Sequence, residues 1–269
     1  MELADLTRPS DIVDEILKQN PNISFPIPLE TIAEVVGIRD IRYTALESLE
    51  GALVANEEKS QGIIVVNQNT IPTKQRFTVG HELGHFLIPR HGHNMQCSPK
   101  DLKARPNRNS KILDIESEAN LFSSKLLMPA KLITQRGFID KVPSFENILN
   151  LKSLCDVSLQ ACANNYINLH GDHLAIIISK DKKISYGLNC NNNPLWLNAN
   201  KGSIIPIHSH TASVDLTKVN TVTSSEVDIG TWFSPSNRLK YPETIIEETL
   251  VQENGWAATL LWIEQIEEI

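Results

Sequence analysis

Two histidines four residues apart, with a glutamate beside the first, are the side chains of this 269-residue sequence best suited to chemistry. They stand in His81-Glu82-Leu83-Gly84-His85. On a helix, residues i and i+4 lie one above the other, with Cβ atoms about 5–6 Å apart. Two imidazoles so placed can share one Zn²⁺ at about 2.0–2.1 Å each. Glu82 is adjacent to the first imidazole and can reach a water at such a metal without binding the metal itself. It is the candidate general base, returning the proton to a leaving amine. The metal brings the water's pKa to roughly 7, so a nucleophile exists at neutral pH.

A catalytic zinc needs a third protein ligand and an open fourth position. Spacing leaves several candidates. Glu116 lies in Ile115-Glu116-Ser117-Glu118-Ala119-Asn120. Its carboxylate can bind metal while Asn120, four residues on and on the same face, holds a ligand histidine from behind. His91 falls where the H-E-x-x-H-x-x-G-x-x-H pattern puts a third histidine, but Ile88 stands where that pattern has its turn-forming glycine. Glu118 reads as an exposed helix carboxylate, and His91 and His93 read as loop or rim histidines.

The elements that must hold these residues follow from periodicity. Lys74 to Ile88 runs without proline and Pro89 ends it, which predicts a helix carrying the motif. A second helix is expected from about Ile112 to Met128, stopped by Pro129. Upstream, Ile12, Val13, Ile16 and Leu17 have helical spacing behind Ser10, and Leu29 to Val36 reads as a short helix closed by Gly37. Ile38 to Tyr43, Gly51 to Ala55 and Gly62 to Asn67 carry strand signals and read as a small antiparallel meander. Residues 90–111 read as a basic loop with Arg90, Lys100, Lys103, Arg105, Arg108 and Lys111. If Gly62 to Asn67 forms the sheet edge, it can pair with an extended substrate. Beyond a helical unit at 130–169, hairpins are expected at His173–Ser179 with Lys183–Leu188 and at Thr244–Gln252 with Trp256–Ile263. The expected boundary divides 1–171 from a β-rich 172–269, with Trp232, Trp256 and Trp262 in the second core. His208-Ser209-His210 reads as surface.

Composition bounds the function. Net charge is −7, and the last 100 residues hold 7 basic against 12 acidic side chains. A nucleic-acid binder is expected to be basic. Residues 145–169 could form a helix-turn-helix, but Ser158 to Leu169 has no Lys or Arg for phosphates. They read as a packing unit. No apolar run approaches the roughly 18 residues that span a bilayer. The start lacks the basic and apolar regions of a signal peptide. Cys97, Cys155, Cys162 and Cys190 are scattered and read as free thiols. The expected location is the cytoplasm.

Arg76-Phe77-Thr78-Val79-Gly80-His81-Glu82-Leu83-Gly84-His85-Phe86-Leu87 resembles the active helix of the ImmA/IrrE family of zinc metallopeptidases. Glu116 to Pro129 resembles that family's second signature, and PIPLETIAEVVGI and GIIVVNQN fit its N-terminal helix and sheet. The resemblance covers roughly residues 26–130. It implies one catalytic zinc held by His81, His85 and Glu116 in a gluzincin-like site, with Glu82 as the base. It implies an α+β fold: a zincin-like domain with a small antiparallel sheet and active-site helices, followed by a β-rich α+β domain. A GAF-like sensor is compatible with the latter. It further implies a protein substrate, a helix-turn-helix transcriptional repressor, whose cleavage derepresses stress-response or mobile-element genes. The rival reading is a non-catalytic repressor-binding module with a vestigial zinc site. An intact Glu82 speaks against it, because a structural site needs no base.

Overall fold

Leu53, Ile64, Val66, Val79, Leu83, Phe122 and Leu126 have almost no exposed surface and form the interior between the first sheet and the helices that follow it. The computed structural model describes residues 3, 6–105, 110–236 and 238–268. Arg108 of the basic loop therefore lies outside the described residues. Two helices open the chain, α1 (Pro9–Gln19) and α2 (Leu29–Val36). Gly37 ends α2 at φ +112°, a backbone conformation that glycine adopts without a Cβ penalty. Strands β1 (Ile38–Thr44), β2 (Gly51–Ala55) and β3 (Gly62–Asn67) precede helix α3 (Pro72–Leu87). Then come β4 (Asn94–Cys97), the single turn Asp101–Lys103 and helix α4 (Lys111–Leu127).

The first sheet has the order β1-β3-β2-β4 and is not a meander. β1 pairs with β3 in parallel, while β2 is antiparallel to both β3 and β4. The side chain of Asn67 holds the crossover connection. Its amide nitrogen donates to the carbonyls of Leu46 and Leu49, each at 2.9 Å, so the β1–β2 connection wraps past the end of β3. β2 then enters on the far side. β3 is consequently an interior strand and offers no edge to a substrate, contrary to the expectation from sequence.

The remaining elements are α5 (Ala130–Gln135), α6 (Phe145–Cys155), α7 (Leu159–Leu169), β5 (His173–Lys180), β6 (Lys183–Asn189), α8 (His210–Ser213), β7 (Val222–Asp228), β8 (Leu239–Lys240), β9 (Thr244–Val251), β10 (Trp256–Ile263) and β11 (Glu267–Glu268). Five strands make an antiparallel sheet in the order β6-β5-β10-β9-β7. Both expected hairpins are present, β5–β6 and β9–β10. The chain divides into two compact units, Met1–Ala130 with Lys152–Ser158, and Lys131–Leu151 with Leu159–Ile269. This division differs from a break at 171. In the second unit α7 packs on β5, and Glu248 of β9 accepts the backbone N–H of Phe145.

Trp232 and Phe233 lie at the centre of the second core with Ile177, Ile245 and Leu261. Trp256 and Trp262 are only half-buried. Ser209 is buried, because its hydroxyl caps α8 and the next two backbone N–H groups are bound by Glu247. That segment is therefore not simply surface. All four cysteines are buried, and none is in a disulfide. No helix among the described residues is long and apolar enough to cross a membrane.

Candidate metal centre

α3 carries the H-E-x-x-H motif through the middle of the first unit. Every residue from Thr78 to Phe86 is buried. Two glycines permit this. A Cβ on Gly80 would lie 2.5 Å from the hydroxyl of Ser123, and one on Gly84 would lie 3.1 Å from the ring of Phe122. Gly80 and Gly84 are one turn apart, so they form a flat stripe on which α4 sits closely. The adjoining face presents His81 and His85. The far end of α3 is held by Lys59, from the turn between β2 and β3. Its ammonium donates to the carbonyls of His85 at 2.9 Å, Ile88 at 2.6 Å and His91 at 3.3 Å. The carbonyl of His85 is one that a helix end leaves without an intrahelical partner.

The structure brings His81, His85 and Glu116 together. Nε2 of His81 lies 3.0 Å from Nε2 of His85, and the two rings are nearly perpendicular at 80°. Oε2 of Glu116 lies 3.2 Å from the first nitrogen and 3.5 Å from the second. Four donors at about 2.0–2.1 Å from one tetrahedral centre stand about 3.3 Å from each other. The observed spacings of 3.0, 3.2 and 3.5 Å are those of one face of such a tetrahedron. The donor set, two imidazoles and a carboxylate, also suits a divalent cation. Burial pushes the Glu116 carboxyl up, but the adjacent imidazoles of His81 and His85 outweigh it and hold it at about 2. Burial lowers the His85 imidazole, against the opposing pull of Glu116.

Glu82 is fully buried, and neither of its carboxylate oxygens has a hydrogen-bond partner. Oε2 of Glu116 is likewise without a hydrogen-bond partner. Buried polar atoms without partners are rare and point to a missing ligand. Burial above all, then the charges of Glu116 and Asp101, holds the Glu82 carboxyl well above the usual carboxylate range. Its position depends on Gly51 at the start of β2, where a Cβ would lie 2.9 Å from Oε1 of Glu82 and 2.4 Å from Thr78.

Asn120 performs the role that its spacing suggests, with Oδ1 2.9 Å from Nδ1 of His81. Four other residues adjoin the site: His91 and Glu118, which spacing offers as alternative third ligands, and Cys97 and Asp101, which the sequence does not single out. The thiol of Cys97, at the end of β4, lies within 4.8 Å of donor atoms of both His81 and Glu82. Asp101 lies within the same distance of Cys97 and Glu116. Burial pushes the Cys97 thiol far above its ordinary range. His91 is buried at 4% exposure, with Nδ1 2.9 Å from Nδ1 of His85. Glu118 meets Nε2 of His91 at 3.0 Å and also pairs with Arg90. His91 is thus behind His85, on the side opposite the three converging donors. Glu118 is only partly exposed.

Residues 33–165 match the model of a peptidase family, described as the IrrE N-terminal-like domain. Among solved structures, a transcriptional regulator from Mycobacterium tuberculosis has a similar fold, with a TM-score of 0.54 at 12% identity over 95% of this chain and 76% of that one. No curated protein matches the chain by sequence.

Proposed function

Since the chain belongs, through residues 33–165, to the ImmA/IrrE family, we propose that it is a zinc-dependent endopeptidase acting on a helix-turn-helix transcriptional repressor. The observation that carries the reading is the convergence of His81, His85 and Glu116 at 3.0–3.5 Å beside a buried glutamate with both oxygens unpartnered. His81, His85 and Glu116 would hold one Zn²⁺. When bound, the ion supplies Lewis acidity, polarising a carbonyl and acidifying a water.

The protein's own groups account for the rest of the reaction. Glu82 takes a proton from the attacking water on a carboxylate oxygen and delivers it to the nitrogen of the departing amine. Gly51 leaves room for that carboxylate. Asn120 fixes the ring of His81 by accepting at Oδ1. The substrate class is supported by the family resemblance. The second unit is read as a GAF-like sensor, a reading supported by its five-stranded antiparallel sheet. The expected setting is the cytoplasm, and cleavage would derepress stress-response or mobile-element genes.

Purified protein loaded with one equivalent of zinc is incubated with the helix-turn-helix repressor encoded beside its gene, with Glu82→Gln in parallel. A discrete cut by the wild type alone is expected. Intact repressor recovered in a stable complex with both forms would instead identify a sequestering module.

A further inference from the structure

Behind His85 runs a line of side chains that the proposed reaction does not use. We propose that His91 and Glu118 are positioning residues that fix the ring and tautomer of His85 as a metal ligand. This inference rests on reading His81, His85 and Glu116 as the zinc site.

The argument follows the hydrogens. Nδ1 of His85 and Nδ1 of His91 face each other at 2.9 Å. Two ring nitrogens at that distance share one hydrogen, so one donates and the other is bare. Nε2 of His85 points at His81 and Glu116. A metal there uses the lone pair of Nε2 and leaves the hydrogen of the neutral ring on Nδ1. His85 is then the donor, and His91 accepts at its own Nδ1. A neutral His91 with Nδ1 bare carries its hydrogen on Nε2. That nitrogen lies 3.0 Å from Oε2 of Glu118, a pure acceptor. Every nitrogen in the line has one role, and the carboxylate at the far end sets the direction. With a neutral His91, the opposite direction would set a bare nitrogen against a carboxylate oxygen.

The line is held from both sides. Lys59 binds the carbonyls of Ile88 and His91, fixing the turn that carries the second ring. Arg90 donates from Nε to Glu118 at 2.9 Å, fixing the carboxylate. Glu116 and Glu118 leave α4 only two residues apart, so they point in different directions. One meets His85 from the metal side and the other reaches it from behind through His91. The two ligand histidines therefore differ in their supports: a neutral amide for His81, a histidine–carboxylate pair for His85. Partners of this kind raise the basicity of a ligand and hold its orientation.

The test uses the full-length protein and three variants, His91→Leu, His91→Asn and Glu118→Gln. Zn²⁺ affinity is measured by competition with a chromophoric chelator, the visible spectrum of the Co²⁺ form is recorded, and the Tm of each metal-free form controls for folding. His91→Leu removes the acceptor and is expected to weaken zinc binding about 10- to 100-fold and to change the Co²⁺ spectrum. His91→Asn keeps an amide oxygen for the N–H of His85 and is expected to recover most of the affinity and the wild-type spectrum. Glu118→Gln is expected to fall between them. Wild-type affinity in His91→Leu, or an Asn variant no better than Leu, overturns the proposal. Should His91→Leu not fold, unchanged affinity in Glu118→Gln overturns it. A wild type that takes up no zinc, or Glu116→Ala binding as tightly as the wild type, overturns the zinc reading itself. Normal results for those two with silent His91 and Glu118 variants overturn the positioning role alone.

Discussion

Asn120 spends its two amide atoms on two different parts of the site: Oδ1 lies 2.9 Å from Nδ1 of His81, and Nδ2 donates to the carbonyl of Asp101 at 2.8 Å. One side chain therefore ties a candidate ligand to the turn beside it. The two duties can be separated. Asn120→Ala is expected to lower zinc affinity about 10- to 100-fold, the usual effect of losing a ligand's outer partner. Asn120→Asp keeps an acceptor for His81 and is expected to bind zinc more tightly than Asn120→Ala. It also loses the donor to Asp101, and limited proteolysis should cut the 98–104 segment faster than in the wild type.

Glu82→Gln is expected to keep stoichiometric zinc and to slow peptide cleavage by about 10²- to 10⁴-fold, the usual contribution of a proton-transfer group. Metal content and cleavage rate measured on the same samples check it. Retained cleavage would remove Glu82 from the proton path.

Glu116→Ala removes one corner of the three-donor face. It should lose zinc during desalting, whereas His91→Leu should only weaken it. Chelation of the wild type should abolish cleavage, and one equivalent of zinc should restore it. A Glu116→Ala protein that retains one equivalent would mean that another group completes the site.

Gly80→Ala forces a methyl to within 2.5 Å of the Ser123 hydroxyl, which itself donates to the carbonyl of Phe77. Overpacking of this kind costs about 1–3 kcal/mol. Chemical denaturation should show that loss, and pairing the change with Ser123→Gly should recover part of it. Equal losses in the single and double variants would mean that α3 and α4 do not meet there as described.

In the second unit, the fully buried carboxylate of Glu247 accepts four hydrogen bonds. The donors are the backbone of His210 at 3.1 Å, the backbone and hydroxyl of Thr211 at 2.8 and 2.7 Å, and the indole of Trp232 at 2.8 Å. Glu247→Gln replaces an acceptor by an N–H facing donors. It is expected to cost about 1–3 kcal/mol, since hydrogen bonds to a charged group are strong and a buried donor is left unpaired. Urea denaturation followed by tryptophan fluorescence measures it.

The parts legible in the sequence are those encoded by neighbours. Helices α3 and α4 lie within a residue or two of the ranges expected from Pro89 and Pro129. β2 and β3 have the expected bounds, because apolar side chains and flanking turns mark them. Asn120 was legible because four residues place it on the face of Glu116. What depended on distant partners was not. β4, with the sequence Asn-Met-Gln-Cys, alternates over four residues only, too short a run to mark a strand by itself, and pairs because β2 offers an edge. β7 is almost wholly exposed and carries no strand signature beyond its pairing with β9. The parallel pairing of β1 goes with a connection bound by Asn67, 21 residues beyond Leu46. His91 reads as a rim residue and Glu118 as an exposed helix carboxylate because nothing in their own segments reveals that they meet each other and, through His91, His85.

The burial of the centre has a kinetic side. His81, Glu82 and His85 have no exposed surface, and Asn120 holds Asp101 and the turn 101–103 against α4. For the proposed protease, a peptide that reaches Glu82 finds a door that must open first. The two hydrogen bonds that Nδ2 of Asn120 donates, to the carbonyls of Asp101 at 2.8 Å and Ala104 at 3.4 Å, are worth roughly 1–3 kcal/mol in net terms. An opening of a few kcal/mol leaves on the order of 0.1–10% of molecules ready at any moment. Apparent affinity for substrate is weakened by that fraction. A repressor segment, or a small molecule, that favours the raised turn would then speed cleavage without touching any residue of the metal centre.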